Sequence, residues 1–254
     1  MTVVGRSRRK APNTRGGVRR GGVFIRRLSR FLAVLAGILW GLIFYYSPVL
    51  AVAKVEVSGA RALNASNIKS SLALEGRGLL DLDVVHIERE LEKEPRVKSV
   101  DIRRWLPGTV YIDIQERQEA AIWVSGSESF VVDEEGVVLD RSGLVSDIPI
   151  IVDKSGALPV PGDLVNSETV LLAKKLSGIF PERFGTGIRE LEYRKDRGLL
   201  VLTVKGWLVA FGGSEDLAFK LDSLQAMEPH MVQACPTGYY VDLRYGYNPF
   251  FRCI

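Results

Sequence analysis

Residues 95–117 read PRVKSVDIRRWLPGTVYIDIQER, and two runs within them alternate in character. Val100 and Ile102 alternate with Asp101 and Arg103, while Val110, Ile112 and Ile114 alternate with Tyr111, Asp113 and Gln115. A period of two belongs to a strand with one face on a core and the other in water. Pro107-Gly108 lies between the runs and supplies a tight connection. The stretch therefore predicts two half-buried strands, residues 97–103 and 109–116, paired as a hairpin.

Working outward, residues 54–59 alternate and end at glycine, which reads as a short strand. Residues 64–74 place Ile68 and Leu72 four apart, behind candidate caps at Asn64 or Ser66 and ahead of Gly76, so they predict a short helix. Asp83 is a good N-cap for a second helix, on which Val84, Val85, Ile87 and Leu91 form one apolar face and which Pro95 stops. The order is β-α-α-β-β, a small sheet with two helices on one face.

Farther upstream, residues 31–53 (FLAVLAGILWGLIFYYSPVLAVA) contain no Asp, Glu, Lys, Arg or His. A helix of that length reaches about 34 Å, enough to cross a hydrocarbon core of about 30 Å. Tyr45 and Tyr46 suit the lipid–water interface, and Ser47-Pro48 marks a kink or stop. Residues 1–30 carry ten of the 34 basic side chains and no acidic one, leaving 24 basic against 30 acidic from Lys54 onward, a net of −6. Positive charge beside the span predicts a cytoplasmic tail and a translocated acidic flank. Ala51-Val52-Ala53 also resembles a signal-peptidase site, which would release a secreted chain. The long apolar run favours a retained anchor over a signal whose apolar region spans about 7–15 residues. Arg15-Gly16-Gly17 and Arg20-Gly21-Gly22 look like RGG repeats, but beside a span they read more simply as a disordered tail touching anionic lipid.

Downstream, residues 129–139 form a hairpin pattern turning at residues 133–136. Residues 167–180 read as a helix ended by Pro181. Residues 188–193, 199–204 and 207–211 form a three-strand meander, and Leu217, Leu221 and Leu224 share one face of a further helix. Residues 239–245, YYVDLRY, read as the last full strand, and a terminal strand often lies at a sheet edge with free N–H and C=O groups. The nine residues after Tyr245 are few and include Pro249, which argues against a long additional strand. Phe250, Phe251 and Ile254 among them could pack on a partner or fold back on the chain's own sheet. Cys235 and Cys253 permit one disulfide, a local tether at most.

The opening stretch resembles the POTRA domain of the bacterial cell division family FtsQ, called DivIB in Gram-positive bacteria. The resemblance rests on Pro95, Val97, Val100, Ile102, Arg104, Pro107, Thr109, Ile112, Ile114, Glu116 and Arg117, with Val110 where the family has leucine. Gln118-Glu119-Ala120 departs from the family's proline-containing continuation, and Ala121-Ile122-Trp123 returns to it. Residues 132–138 (VDEEGVV) match the opening of the family's second extracytoplasmic domain, Ile148-Pro149-Ile150-Ile151 fits its next strand, and residues 240–245 match its "Y-x-D-L-R-Y" ending.

The resemblance implies an α+β chain: a basic tail (1–30), a single transmembrane helix (31–53), a POTRA domain (54–119) and a second β-rich domain with two helices (120–254). It also implies a non-enzymatic divisome scaffold in the cell inner membrane at the septum, N-terminus cytoplasmic and C-terminus periplasmic. By resemblance the POTRA domain meets other division proteins. The C-terminal strand and the residues after it bind FtsB of the FtsB–FtsL pair, with Tyr239, Val241, Leu243, Arg244, Tyr245, Tyr247, Phe250 and Phe251 as partner-binding residues. Two other readings stand beside it: a POTRA-bearing transport or outer-membrane assembly component, and a secreted enzyme with a cleaved signal.

The residues offer no catalytic constellation and imply no cofactor or metal. His86 and His230 lie far apart, and neither CxxC nor HxxxH spacing occurs. Residues 126–129 lack the G-x-S-x-G elbow, and Gly76-Arg77-Gly78 and Gly212-Gly213 are too short to cradle phosphate. Asp81, Asp83, Glu134 and Glu135 fall at expected caps and turns, and Arg103, Arg104 and Arg117 read as solvated sheet-face residues.

Overall fold

A computed structural model of the chain describes residues 21–45, 50–142, 147–235, 237–245 and 248–254. The first element, α1 (Gly21–Tyr45), is a single helix whose large apolar side chains are exposed all round, Phe31, Val34, Ile38, Trp40 and Ile43 each by more than half. Among the described residues no helix is long and apolar enough to cross a membrane. Of the predicted disordered tail, residues 1–20 lie outside the described residues, whereas residues 21–30 are helical and form the start of α1. The helix ends at Tyr45, so residues 50–53 do not continue it. Leu50 and Val52 are instead buried with the first domain's core.

That first domain is β1 (Lys54–Ser58), α2 (Ala65–Leu72), α3 (Val84–Leu91), β2 (Val97–Trp105) and β3 (Thr109–Glu116), the order the sequence predicts. Asn64 caps α2 through a bond from the Ser66 N–H at 2.9 Å, and Asp83 caps α3 through the His86 N–H at 3.0 Å. The strands form a sheet in the order β1-β3-β2, with β1 parallel and β2 antiparallel to β3. Val55, Ile87, Ile102, Val110, Ile112 and Ile114 meet in its core, so the alternating residues do face the helices. The Glu116 carboxylate accepts the N–H groups of Arg61, Ala62 and Leu63 at 2.8–3.1 Å, closing the loop after β1 onto the end of β3. Burial works against its charge, but those bonds prevail and hold its pKa below the usual range.

The second domain holds β4 (Glu119–Ser125), β5 (Glu128–Asp133), β6 (Val138–Arg141), β7 (Ile150–Asp153), α4 (Ser167–Phe184), β8 (Ile188–Arg194), β9 (Gly198–Thr203), β10 (Leu208–Gly212), α5 (Leu217–Ala234), β11 (Tyr239–Asp242) and β12 (Phe250–Cys253). Its strands make one open nine-stranded sheet, β12-β11-β10-β9-β8-β7-β4-β5-β6. The hairpin β5–β6 and the meander β8-β9-β10 pair antiparallel as the sequence predicts. Parallel pairs join β4 to β7, β7 to β8 and β10 to β11. The helices α4 and α5 lie over one continuous core built from Trp123, Phe130, Phe180, Phe211, Leu224 and Val241 with their neighbours.

Pro181 does not end its helix. α4 continues one turn to Phe184 and stops at Gly185, which takes the left-handed conformation a C-terminal cap favours. Phe180 and Phe184 pack with tilted rings, centroids 5.0 Å apart, within the core, and that burial offsets the hydrogen bond the proline cannot make.

The two domains meet through ion pairs. Lys98 and Arg117 both reach Glu135, at 2.7 and 2.6 Å, and Arg117 also holds the buried Asp133 at 2.7 Å. Arg96 bonds Asp140 and Glu119.

Candidate functional site: the C-terminal sheet edge

The sequence expectation places residues 239–245 at the edge of the sheet. The structure corrects this: β11 is an inner strand, parallel to β10 on one side and antiparallel to β12 on the other. Tyr239, Val241 and Leu243 point into the helix-covered core and are almost fully buried. Tyr239 stacks on Trp207 at 5.2 Å, and its buried hydroxyl has no hydrogen-bond partner among the described residues. Burial pushes that hydroxyl's pKa up. These three side chains build the domain and cannot touch a partner without unfolding it. The ladder of β12 runs beside Tyr239 and Val241, and the Leu243 N–H bonds to Ala210 O at 2.9 Å.

The opposite face carries the polar residues of the same strand. Asp242 is 1 % exposed and gathers five bonds, one of them a longer contact from Arg244 Nε to Oδ2 at 3.2 Å. Its Oδ2 accepts from Tyr240 Oη at 2.8 Å and Arg244 Nη2 at 2.6 Å, and its Oδ1 from Arg244 Nε at 2.9 Å and the Arg244 N–H at 3.1 Å. Burial works to raise the pKa of this carboxyl, but the Arg244 and Tyr240 bonds outweigh it and hold the group below the usual range. The same bonds push the Arg244 guanidinium up. Arg244 is thus committed to the fold by a fork on a buried carboxylate. Gly212 leaves it room: at φ +72, a Cβ there would lie 3.0 Å from Arg244 Cγ. The sequence expectation names neither Tyr240 nor Asp242 as a site residue and weighs Gly212 only as a phosphate cradle, although "Y-x-D-L-R-Y" contains the first two at the two-residue spacing that puts them on one face.

What faces outward is Tyr245, β12 and the end of the chain. Tyr245 is 63 % exposed beside the Arg244 guanidinium, 5.1 Å from ring centroid to Cζ. All four residues of β12 are exposed, among them Phe250 and Phe251. Arg252 covers the Tyr240 ring at 5.1 Å, and Phe250 packs near it at 6.2 Å. Tyr247 lies outside the described residues. The Ile254 N–H bonds to Gly238 O at 3.2 Å, so alternation aims the N–H and C=O groups of Phe251 and Cys253 away from β11, toward the open side. Cys253 is tied to Cys235 at the end of α5 by a disulfide, with Cα atoms 5.1 Å apart. Residues 250–254 therefore fold back on the chain's own sheet, and in doing so they become its new edge.

No group of three or more His, Cys, Asp or Glu among the described residues could hold a metal ion. Residues 50–117 match the family profile "POTRA domain, FtsQ-type", and residues 121–244 match "Cell division protein FtsQ/DivIB, C-terminal". The chain belongs to the FtsQ/DivIB family of bacterial cell division proteins. It is similar to the cell division protein FtsQ of Chloroflexus aurantiacus, 29 % identical over 214 residues that cover 83 % of this chain and 77 % of the relative. The FtsQ of Chloroflexus aggregans matches over the same shares at 28 %, and DivIB of Geobacillus kaustophilus at 29 % over half of each chain. Membership carries a non-enzymatic, scaffolding role in the divisome among other division proteins. Both domain profiles fall where the two folded domains lie, which leaves the transport and secreted-enzyme readings without support.

Proposed function

We propose that this chain is a single-pass inner-membrane scaffold that recruits FtsB, and with it FtsL, to the septum by pairing a strand of the partner with β12. The observation that carries this reading is an edge strand with outward N–H and C=O groups on Phe251 and Cys253, flanked by exposed Phe250, Phe251 and Tyr245. Tyr245, Phe250 and Phe251 are the contacts, with Tyr247 beside them in sequence, while Tyr239, Val241, Leu243 and Arg244 support the edge from within.

The anchor is α1. Beyond Arg30 its residues 31–45 are apolar on every side and join no buried cluster among the described residues, which suits a membrane interior better than water, although α1 by itself is not long and apolar enough to cross. The ten basic residues before residue 31 place its N-terminus in the cytoplasm, and the C-terminal domain then stands in the periplasm. The disulfide Cys235–Cys253 suits that oxidising compartment. The boundaries consistent with the packing are an anchor ending near Tyr45, a POTRA domain from Leu50 and a second domain from Glu119.

Phe251→Pro tests the partner claim. It removes an outward N–H and keeps the ladder to β11, since proline is tolerated where the N–H faces solvent. Co-purification with FtsB should fall at least tenfold, and Tyr245→Ala should weaken it less. Unchanged recovery of FtsB by a folded Phe251→Pro chain would place the interface elsewhere.

A further inference from the structure

The first domain carries a second exposed apolar surface, in which Trp105 is 67 %, Leu106 61 % and Leu80 49 % exposed. These residues come from two separate segments, and both lie against the short stretch that follows α1. On one side, Leu79 donates to Leu50 O at 2.8 Å, Ala51 bridges Gly78, and Val52 donates to Arg77 O at 2.8 Å. On the other, Ala53 and Lys54 donate to Gly108 O at 2.7 and 3.1 Å. Gly108 is pressed so close that a Cβ there would lie 2.4 Å from Ala51 O. Arg104 Nη1 reaches Leu80 O at 3.3 Å and joins the two segments. Tyr45, the last residue of α1, donates its hydroxyl to Asp81, the neighbour of Leu80. Ala51 is six residues past Tyr45, so the chain holds the strand stretch against which this surface is built within about 20 Å of the end of α1.

We propose that Leu80, Trp105 and Leu106 seat in the interfacial zone of the bilayer that the apolar run beginning in α1 enters, with Arg104 at the level of the lipid phosphates. The inference rests on reading α1 as a membrane span. Tryptophan favours that depth because its ring is apolar and its N–H can stay wet. Arginine can keep its stem among apolar groups and its head among anionic headgroups. Of the carboxylates beside this surface, Asp101 is paired with Arg103, Asp81 accepts from the Tyr45 hydroxyl and Asp113 accepts from the Ser58 hydroxyl. The tether makes the contact intramolecular, so even a weak lipid affinity is satisfied most of the time. The POTRA domain is then fixed in orientation by two points, which sets the direction in which the second domain stands from the membrane.

The test uses the full chain in nanodiscs of mixed phosphatidylcholine and phosphatidylglycerol whose acyl chains carry bromine, a tryptophan quencher, either near the headgroup or deep. Trp123 and Trp207 are buried in the second domain and serve as an unquenched background. In a Trp40→Phe chain Trp105 reports on the surface, and in a Trp105→Phe chain Trp40 reports on the span. We expect Trp105 to be quenched more by shallow than by deep bromine and Trp40 the reverse. Leu80→Glu with Leu106→Glu should cut the Trp105 quenching at least twofold and leave Trp40 unchanged. Quenching of Trp40 without quenching of Trp105 would overturn this proposal and leave the span intact. Quenching of neither would remove the span reading itself. Trp105 quenching indifferent to the double substitution would overturn the assignment to this surface.

Discussion

The nine-stranded sheet ends in two strands of four residues each, and the two ends are finished differently. At β6 the outer side is covered by the chain itself. Val138 donates to Asp163 O at 2.9 Å and accepts from the Gly162 N–H at 2.8 Å, Val137 bridges Leu164, and the Val165 N–H reaches Gly136 O at 2.8 Å. At β12 no described segment lies beyond the strand, and a disulfide and one ladder hold it in place. An open edge invites pairing with other chains, and proteins usually cover, charge or shorten it. Covering one end while keeping the other open, short and marked by Arg252 is the arrangement expected of a sheet that accepts one strand in one place.

Four substitutions probe the two ends of the sheet and the joint between the domains. The largest effect is expected from Arg244→Glu, which leaves the Asp242 carboxylate buried beside a second carboxylate, at a cost of about 4 kcal/mol. A melting curve of the variant in detergent should shift down strongly, and loss of FtsB binding by it would then report on folding rather than on contact. A variant as stable as the parent would mean that Arg244 is free to serve the interface. Next comes Cys253→Ser, which opens a link closing a separation of 18 residues and should cost about 3 kcal/mol. Here limited proteolysis should cut beyond residue 245 while the rest of the sheet resists; a resistant C-terminus would show that the ladder alone holds β12.

Gly136→Ala probes the covered end. Gly136 sits at φ +82, and a Cβ there would lie 2.5 Å from Val165 O, so the loop over β6 must shift at a cost of about 2 kcal/mol. Amide exchange at Val138 should accelerate, and the variant should self-associate through the uncovered edge. Slow exchange at Val138 would show that the cover tolerates the change.

The smallest effect concerns the joint between the domains. The Lys98 ammonium, first, and the Arg117 guanidinium hold the Glu135 carboxyl down at about 2, from an ordinary 4.5. A carboxyl depressed in the folded state contributes stability that is fully present above about pH 4.5 and is lost as pH falls toward about 2. Glu135→Gln should remove that part of the acid dependence, read as amide exchange around Arg117 across this window. An unchanged acid profile would mean that the exposed pairs contribute nothing measurable.

Local pattern determined a great deal of this protein. The alternation in residues 95–117, the caps at Asn64 and Asp83 and the 133–136 turn fix elements through neighbours only a few positions apart, and those elements stand as read. Pro181 misled because a local rule was overridden by burial of Phe180 and Phe184, which only packing reveals. Residues 50–53 misled for the converse reason. An apolar sequence suits a membrane and a core equally, and the hydrogen bonds to Arg77 and Gly108 decided for the core. The candidate site was half legible: Tyr245, Phe250 and Phe251 lie exposed where the sequence pointed, while Tyr239, Val241, Leu243 and Arg244 turned inward.

Local order along the chain thus accounts for the inventory of strands and helices, the charge asymmetry about the apolar segment and the motifs that mark the family. The tertiary structure alone decided which strand is the edge. Period two identifies a strand and its buried face, but the neighbour in a sheet is chosen by pairing between distant residues. The parallel match of β10 with β11 and the return of residues 250–253 onto β11 under the Cys235–Cys253 link leave no periodic trace in the chain.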